Sequence, residues 1–259
     1  MARVREPSPL ATVSTVPIAQ TSAALIRLDG VVHTSDLPVQ SFARHLTEQL
    51  PADLVRPLIA GMRGFLENKP ELTPAGTDFA DAEDGYQAVE RLGRAAGLTT
   101  AQIAAARLES RADLAASAWA VDASDGLDAL LDGMGTECLV GVFAEPADPA
   151  AAAVLEALEL GGRFTLPPAS LPDAITRLLG ISELSAPDRP DRILVVGTRW
   201  VGELDAAAAA GCVTAMVDRD RRGRGSPRWR AIDLPGLTEQ IRSWAAAGTT
   251  SASLEARPR

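Results

Sequence analysis

The sequence predicts an α/β protein in which a parallel sheet is interrupted, after its first strand, by a long helical insertion. Three observations predict it. From Gly126 onward, apolar runs of strand length alternate with helical patterns, which is the mark of strands joined by helical crossovers. Ile193, Leu194, Val195 and Val196 form an unbroken apolar run, and such runs belong to parallel strands covered on both faces. Between about 37 and 125 only helical patterns occur.

The elements follow in order. Leu25 and Ile26 supply apolar β-formers for a first strand, and Asp29-Gly30 turns the chain. Phe42, Leu46 and Leu50 recur at helical spacing until Pro51 stops the helix, and the pattern resumes over 54–66. NKPELTPAGTDFADAEDG is a loop by its Pro, Gly and Asp content. A helix over 86–96 is closed by Gly97, and Thr99 and Thr100 can cap the next one, which runs through Ile103 and Leu108 towards Trp119. DGLDALLDGMG is a helix and ECLVGVFAEP a strand. DPAAAAVLEALEL is a helix with Asp148 as N-cap and Pro149 at its first position. RFTLPP is a short strand or loop, followed by the helix SLPDAITRLLGI. DRILVVGTR is the clearest strand, GELDAAAAAGC a helix, CVTAMVDR a strand and DLPGLTEQIRSWA a terminal amphipathic helix.

The chain has 259 residues, enough for a large domain or a core with a smaller one. Aromatics are only 4% of it, so the core must be built from small and branched aliphatics. A net charge of −9 argues against a general nucleic-acid binder. Cys138 and Cys212 fit no metal motif and read as reduced thiols of a cytoplasmic protein. No apolar run reaches the roughly 18–20 residues that span a bilayer, and the start of the chain has no continuous apolar segment of a secretory signal. The ends, 1–20 and 247–259, read as flexible arms. The expected units are a core of 21–33 and 126–246 and a helical cap of 34–125 over the carboxyl ends of the strands, where α/β sheets bind ligands.

Two motifs and the insertion carry a resemblance. RLDGVV at 27–32 is similar to the Asp-x-Asp-Gly-Thr/Val-Leu/Val loop of the haloacid dehalogenase-like (HAD) hydrolases, and VVGTRWVGELDAAAAAGC at 195–212 is similar to their Gly-Asp-Ser-x-x-x-Asp-hydrophobic-x-Ala-Ala segment at identical spacing. The helical insertion stands where the capped phosphatase and phosphoglucomutase-like members carry their cap. The resemblance spans about 23–244. It implies a Rossmann-like three-layer core with a parallel sheet and an inserted all-helical cap. It also implies an aspartate nucleophile, an acid/base aspartate two residues later, a Thr or Ser and a Lys on the phosphoryl oxygens, and acids that hold Mg²⁺.

Most of that machinery is substituted. Arg27 takes the nucleophile position and offers no lone pair. Asp29 matches the acid/base position. The Thr/Ser position falls at Phe143 or Ala144, the Lys position aligns best with Leu166, the first metal acid is Thr198 and the second is Glu203. Gly30, His33, Gly197 and Arg199 complete the expected cleft. A buried guanidinium needs carboxylates, so Arg27 is expected to pair with Asp29 and Glu203, with Arg199 joining or competing. No metal ligand set and no cofactor is expected, Mg²⁺ entering only if the chain is an active hydrolase.

RLDGVV alone can be a plain strand and Asp-Gly turn, and the glycines Gly197 and Gly202 miss the G-x-G-x-x-G spacing of a dinucleotide loop. RDRRGRGSPRWR, at 219–230, holds six arginines. It can bind phosphate or nucleic acid, be a solvated loop after the last strand, or dock an acidic face of the same or a neighbouring molecule. Cys138 and Cys212 read as buried small apolar residues, and Tyr86 and Trp119 as cap core. Three functional readings remain: a catalytically degenerate binding or regulatory protein, an atypical phosphate-ester hydrolase that uses Asp29 with Arg27 as anion clamp, and a structural homo-oligomer. A small anionic ligand in the cap–core cleft is the expected partner.

Overall fold

The computed structural model describes residues 22–72, 74, 78–135, 138–145, 148–180 and 190–255. The expected arm at 1–20 lies outside the described residues. A six-stranded sheet of order β3-β2-β1-β4-β5-β6 forms the core, with β1 Ser22–Arg27, β2 Cys138–Phe143, β3 Leu166–Ala169, β4 Ile193–Gly197, β5 Val213–Val217 and β6 Trp229–Ala231. Every pairing is parallel. β1 and β4 at the centre are buried at every residue, as their unbroken apolar runs require.

Helices cover both faces. On one, Ile26, Val140, Val142, Leu194 and Val196 pack under α5 (Leu127–Met134), α6 (Ala150–Ala157) and α9 (Thr238–Glu255). On the other, Leu25, Leu139, Val195 and Met216 pack under α7 (Leu171–Leu179) and α8 (Asp205–Ala209). Residues 25 and 26 thus face opposite layers, as strand alternation dictates.

Between β1 and β2 lies the insertion, α1 Leu37–Thr47, α2 Ala52–Leu66, α3 Gly85–Ala95 and α4 Thr100–Ala116. Its apolar stripes meet in a core of their own, with Phe42, Leu46, Leu58, Tyr86, Val89 and Ile103. α4 starts on a capping box, Thr99 accepting from the Gln102 N–H and Gln102 accepting from the Thr99 N–H. The far end of α4 leaves the cap: Leu114, Ala118 and Val121 pack into the sheet's own core.

Four expectations need correction. The arginine-rich segment does not lie wholly after the last strand, because Trp229–Ala231 pairs with β5 as β6. α9 continues to Glu255, into the segment read as a tail. Trp119 is not cap core but 82% exposed, since the chain turns into the sheet's core at Ala118 and leaves the indole outside. Leu166 opens β3 rather than ending it and pairs with Gly141. It therefore sits several residues back from the carboxyl edge, packed on the core.

Candidate functional site

The carboxyl ends of β1 and β4 lie side by side, Ile26 opposite Val196, so Arg27 and Gly197 end their strands at one level. After Gly197 the chain kinks at Val201 and Gly202 (φ +74°), a backbone that glycine adopts without strain. The kink returns Glu203 to the edge, where its carboxylate lies so close to Gly197 that a side chain there would collide with it. Arg27 and Glu203 are 4% and 2% exposed, and Arg27 Nη1 donates to Glu203 Oε2.

From this pair a chain of charges spreads to the cap. Arg199 Nε donates to the same Glu203 oxygen at 3.1 Å, and its Nη2 to Glu145 Oε1 at 3.2 Å. Arg107 of α4 donates to Glu145 at 2.8 Å, and Arg27 Nη2 lies 3.9 Å from it. Asp84, the cap residue that also accepts from the Gln87 N–H at the start of α3, lies 3.6 Å from Arg199. Burial raises the Glu145 pKa, but Arg107, Arg199 and Arg27 outweigh it and hold the carboxyl below its usual value. For Arg199, burial opposes the charge, while Asp84, Glu203 and Glu145 more than restore it.

Asp29 belongs to a second cluster. The expected Arg27–Asp29 pair does not form among the described ion pairs. Arg111 of α4 donates to Asp29 at 2.7 Å and His33 Nε2 lies 3.1 Å away. Two residues past the end of β1, Asp29 points at the cap, whereas Arg27 stays in the strand beside Glu203. Arg111 also donates to the Tyr86 hydroxyl at 2.9 Å and to both oxygens of Asp148, and Asp148 accepts from the Ala150 N–H one residue before the N-cap, which is Pro149 rather than the expected Asp148. Burial would raise the Asp29 pKa. Arg111 and the bond from His33 outweigh it and hold the carboxyl well below the usual carboxylate range.

The other expected residues divide. Gly30 (φ +82°) turns under Thr198, whose methyl would lie 2.7 Å from any Cβ at 30. Thr198 lines the cleft beside Asp29. His33 is 1% exposed, so it supports Asp29 from below rather than facing the cleft. Phe143 is buried at the end of β2 with its carbonyl accepting from the Leu28 N–H, and the Ala144 N–H donates to Ala169, so both shape the edge through backbone alone. Leu166 is absent from the site. Arg107, Arg111 and Glu145 were missed, and Asp148 was read only as a helix cap. Their signals were an i, i+4 arginine pair on an alanine-rich helix and two acids just after β2.

Between cap and core remains a cavity of about 60 Å³ beside Asp29, Gly30, Asp84, Tyr86 and Thr198. Asp36, Glu83 and Asp220 add to its lining against one arginine, Arg219. That balance works against the small anion expected there.

The donor set does not fit Mg²⁺, which takes oxygen ligands. The nucleophile position presents N–H donors, Thr198 stands for an acid, and Glu203 is turned onto two guanidiniums. Among the described residues no group of three or more His, Cys, Asp or Glu is placed to hold a metal.

No protein-family model and no curated protein matches the chain. Solved structures do. A haloacid dehalogenase-like protein of unknown function from Agrobacterium tumefaciens superposes with a TM-score of 0.56 at 17% identity, over 87% of this chain and 98% of that one. The magnesium-bound protein assigned as HAD-hydrolase YfnB of Bacillus subtilis gives 0.54 at 14% identity, over 85% and 98%. CbbY of Rhodobacter sphaeroides, in complex with phosphate, gives 0.51 at 18% identity, over 83% and 96%. The chain has the fold of the HAD-like hydrolases, a Rossmann-like core with a helical cap. No described helix is long and apolar enough to cross a membrane.

Proposed function

We propose that this protein uses the HAD-like hydrolase fold as a binding or regulatory scaffold and does not perform aspartyl-phosphate chemistry. The buried Arg27–Glu203 pair carries the reading. A guanidinium cannot attack phosphorus, and here it holds the carboxylate that the resemblance assigns to the metal. The YfnB and CbbY structures contain magnesium and phosphate respectively. In this chain the arginines at the sheet edge are already neutralised by carboxylates.

The geometry gives no support to Asp29 as catalyst with Arg27 as clamp. Arg27 is buried with its terminal nitrogens towards Glu203 and Glu145. Asp29 is held ionised by Arg111 and has no proton to give near neutral pH.

The test is Mg²⁺-dependent turnover of p-nitrophenyl phosphate, together with melting in Mg²⁺ and beryllium fluoride. No turnover and no shift in melting are expected. Turnover that survives purification and disappears in Asp29→Asn overturns the reading.

A further inference from the structure

The arginine-rich segment takes no part in the ion pairs of Arg27 and Asp29, and its path is fixed by hydrogen bonds of its own. Asp218 fixes it, accepting from the Arg222 and Gly223 N–H groups at 2.7 and 2.8 Å and from Arg230 Nη1 at 3.0 Å. Arg230 also donates to the Arg224 and Gly225 carbonyls. Arg221 (φ +52°), Gly223 (φ +64°) and Gly225 (φ +71°) take the left-handed turns this tight path needs.

So held, the loop projects three arginines onto three separate parts of the cap. Arg219 grips both oxygens of Asp36, just before α1, at 2.7 and 2.8 Å, and the Thr34 carbonyl at 2.7 Å. Arg222 stacks on Phe65 near the end of α2, its guanidinium carbon 4.0 Å from the ring centre. Arg224 reaches Asp81, before α3, at 2.9 Å. The contacts fall at three places on the cap and lie apart from the α4 salt bridges. Next to them, Glu83 of the cap accepts the N–H groups of Trp200 and Val201 in the core. Three of the six arginines in this run, in a chain of net charge −9, thus contact the molecule's own cap.

We propose that loop 219–230 is a latch that holds the cap shut over the Asp29 edge, and that screening or removing its arginine contacts releases it. Two of the three contacts are ion pairs at least one-third exposed on the arginine side. Salt therefore weakens them, whereas the buried Arg27 and Arg111 pairs are insulated. The latch holds whether or not the edge performs any chemistry.

The Trp200 and Val201 amides report it directly, since their acceptor is in the cap. In the variant carrying Arg219→Ser, Arg222→Ser and Arg224→Ser their hydrogen exchange should quicken about tenfold, the sum expected of three modest surface contacts. The Leu194 and Val195 amides of β4 should keep their rates. Raising salt from about 50 to about 500 mM should quicken Trp200 and Val201 in the native chain and not in the variant. Asp36→Asn with Asp81→Asn, made on the cap side, should reproduce part of the effect. Unchanged exchange at Trp200 and Val201 overturns the proposal, and so does equal acceleration at β4, which would mean general loosening rather than release of the cap.

Discussion

Arg27 and Glu203 stand 176 residues apart in the chain and share a buried ion pair at the ends of adjacent strands. Neither has a solvent route to compensate for loss of the other. Removing one partner of a buried pair costs about 3–5 kcal/mol, while replacing both by apolar residues of similar size is often neutral. Glu203→Gln should therefore lower stability in urea by about 3 kcal/mol, somewhat cushioned by Glu145. Arg27→Met combined with Glu203→Leu should cost less than either single change. Additive losses in the cycle would show that the pair is not the unit that matters.

Arg27→Asp with Thr198→Asp brings two new carboxylates to the edge that already holds Glu203. Oxygen ligands would then outnumber the remaining cations close to them, and a hard divalent ion becomes a stabilising partner. Calorimetric titration should detect Mg²⁺ binding to the double variant and none to the native chain. A double variant that folds and ignores Mg²⁺ would mean that position 198 does not converge with 27 and 203.

Asp29 links acid sensitivity to the cap. Its folded pKa lies below the unfolded value of 3.8. Its contribution is therefore complete above about pH 4 and is lost as the pH falls below that. Asp29→Asn should be less stable than the native chain at neutral pH by about 2 kcal/mol. That gap should close by about 1.4 kcal/mol for each pH unit below about pH 4. Urea midpoints across the acid range check this, and a gap that stays constant would separate Asp29 from Arg111 energetically.

Asp220 has the opposite sign. Burial pushes its carboxyl up to about 6, against the pull of Arg219 and Arg222. A folded pKa above the unfolded one favours folding when the proton is bound, an advantage lost as pH rises through about 6. Asp220→Asn, a neutral mimic, should raise stability at pH values above that by about 1–2 kcal/mol and change little near pH 4. Melting curves at the two pH values decide it. Equal gains at both would assign the effect to something other than the charge.

Much of the fold was legible because periodicity reports burial. The runs at 193–196 and 213–217 read as strands and are strands, buried at every residue. The block from 37 to about 125 reads as helices, and the helices observed between Leu37 and Ala116 pack a core of their own. What escaped was whatever depends on partners distant in sequence. Arg27 was legible as a cation needing an acid, and Glu203 was found. Asp29 was assigned to the wrong arginine, because nothing local says which cap residue overhangs it. β6 is three residues long and lies inside an arginine-rich stretch, so its pairing with β5 has no periodic signal. Trp119 follows a helix whose pattern is alanine on every side, which leaves the direction of the indole unspecified.

The crowding of carboxylates around Arg27 makes an acid at that position costly on its own. Arg27→Asp alone would set an acid against Glu203 and Glu145, with Arg199 and Arg107 left to balance all of them. Such a chain would fold less well unless a further cation joined the edge. One guanidinium at the tip of β1 thus sets the charge balance of the whole junction between sheet and cap.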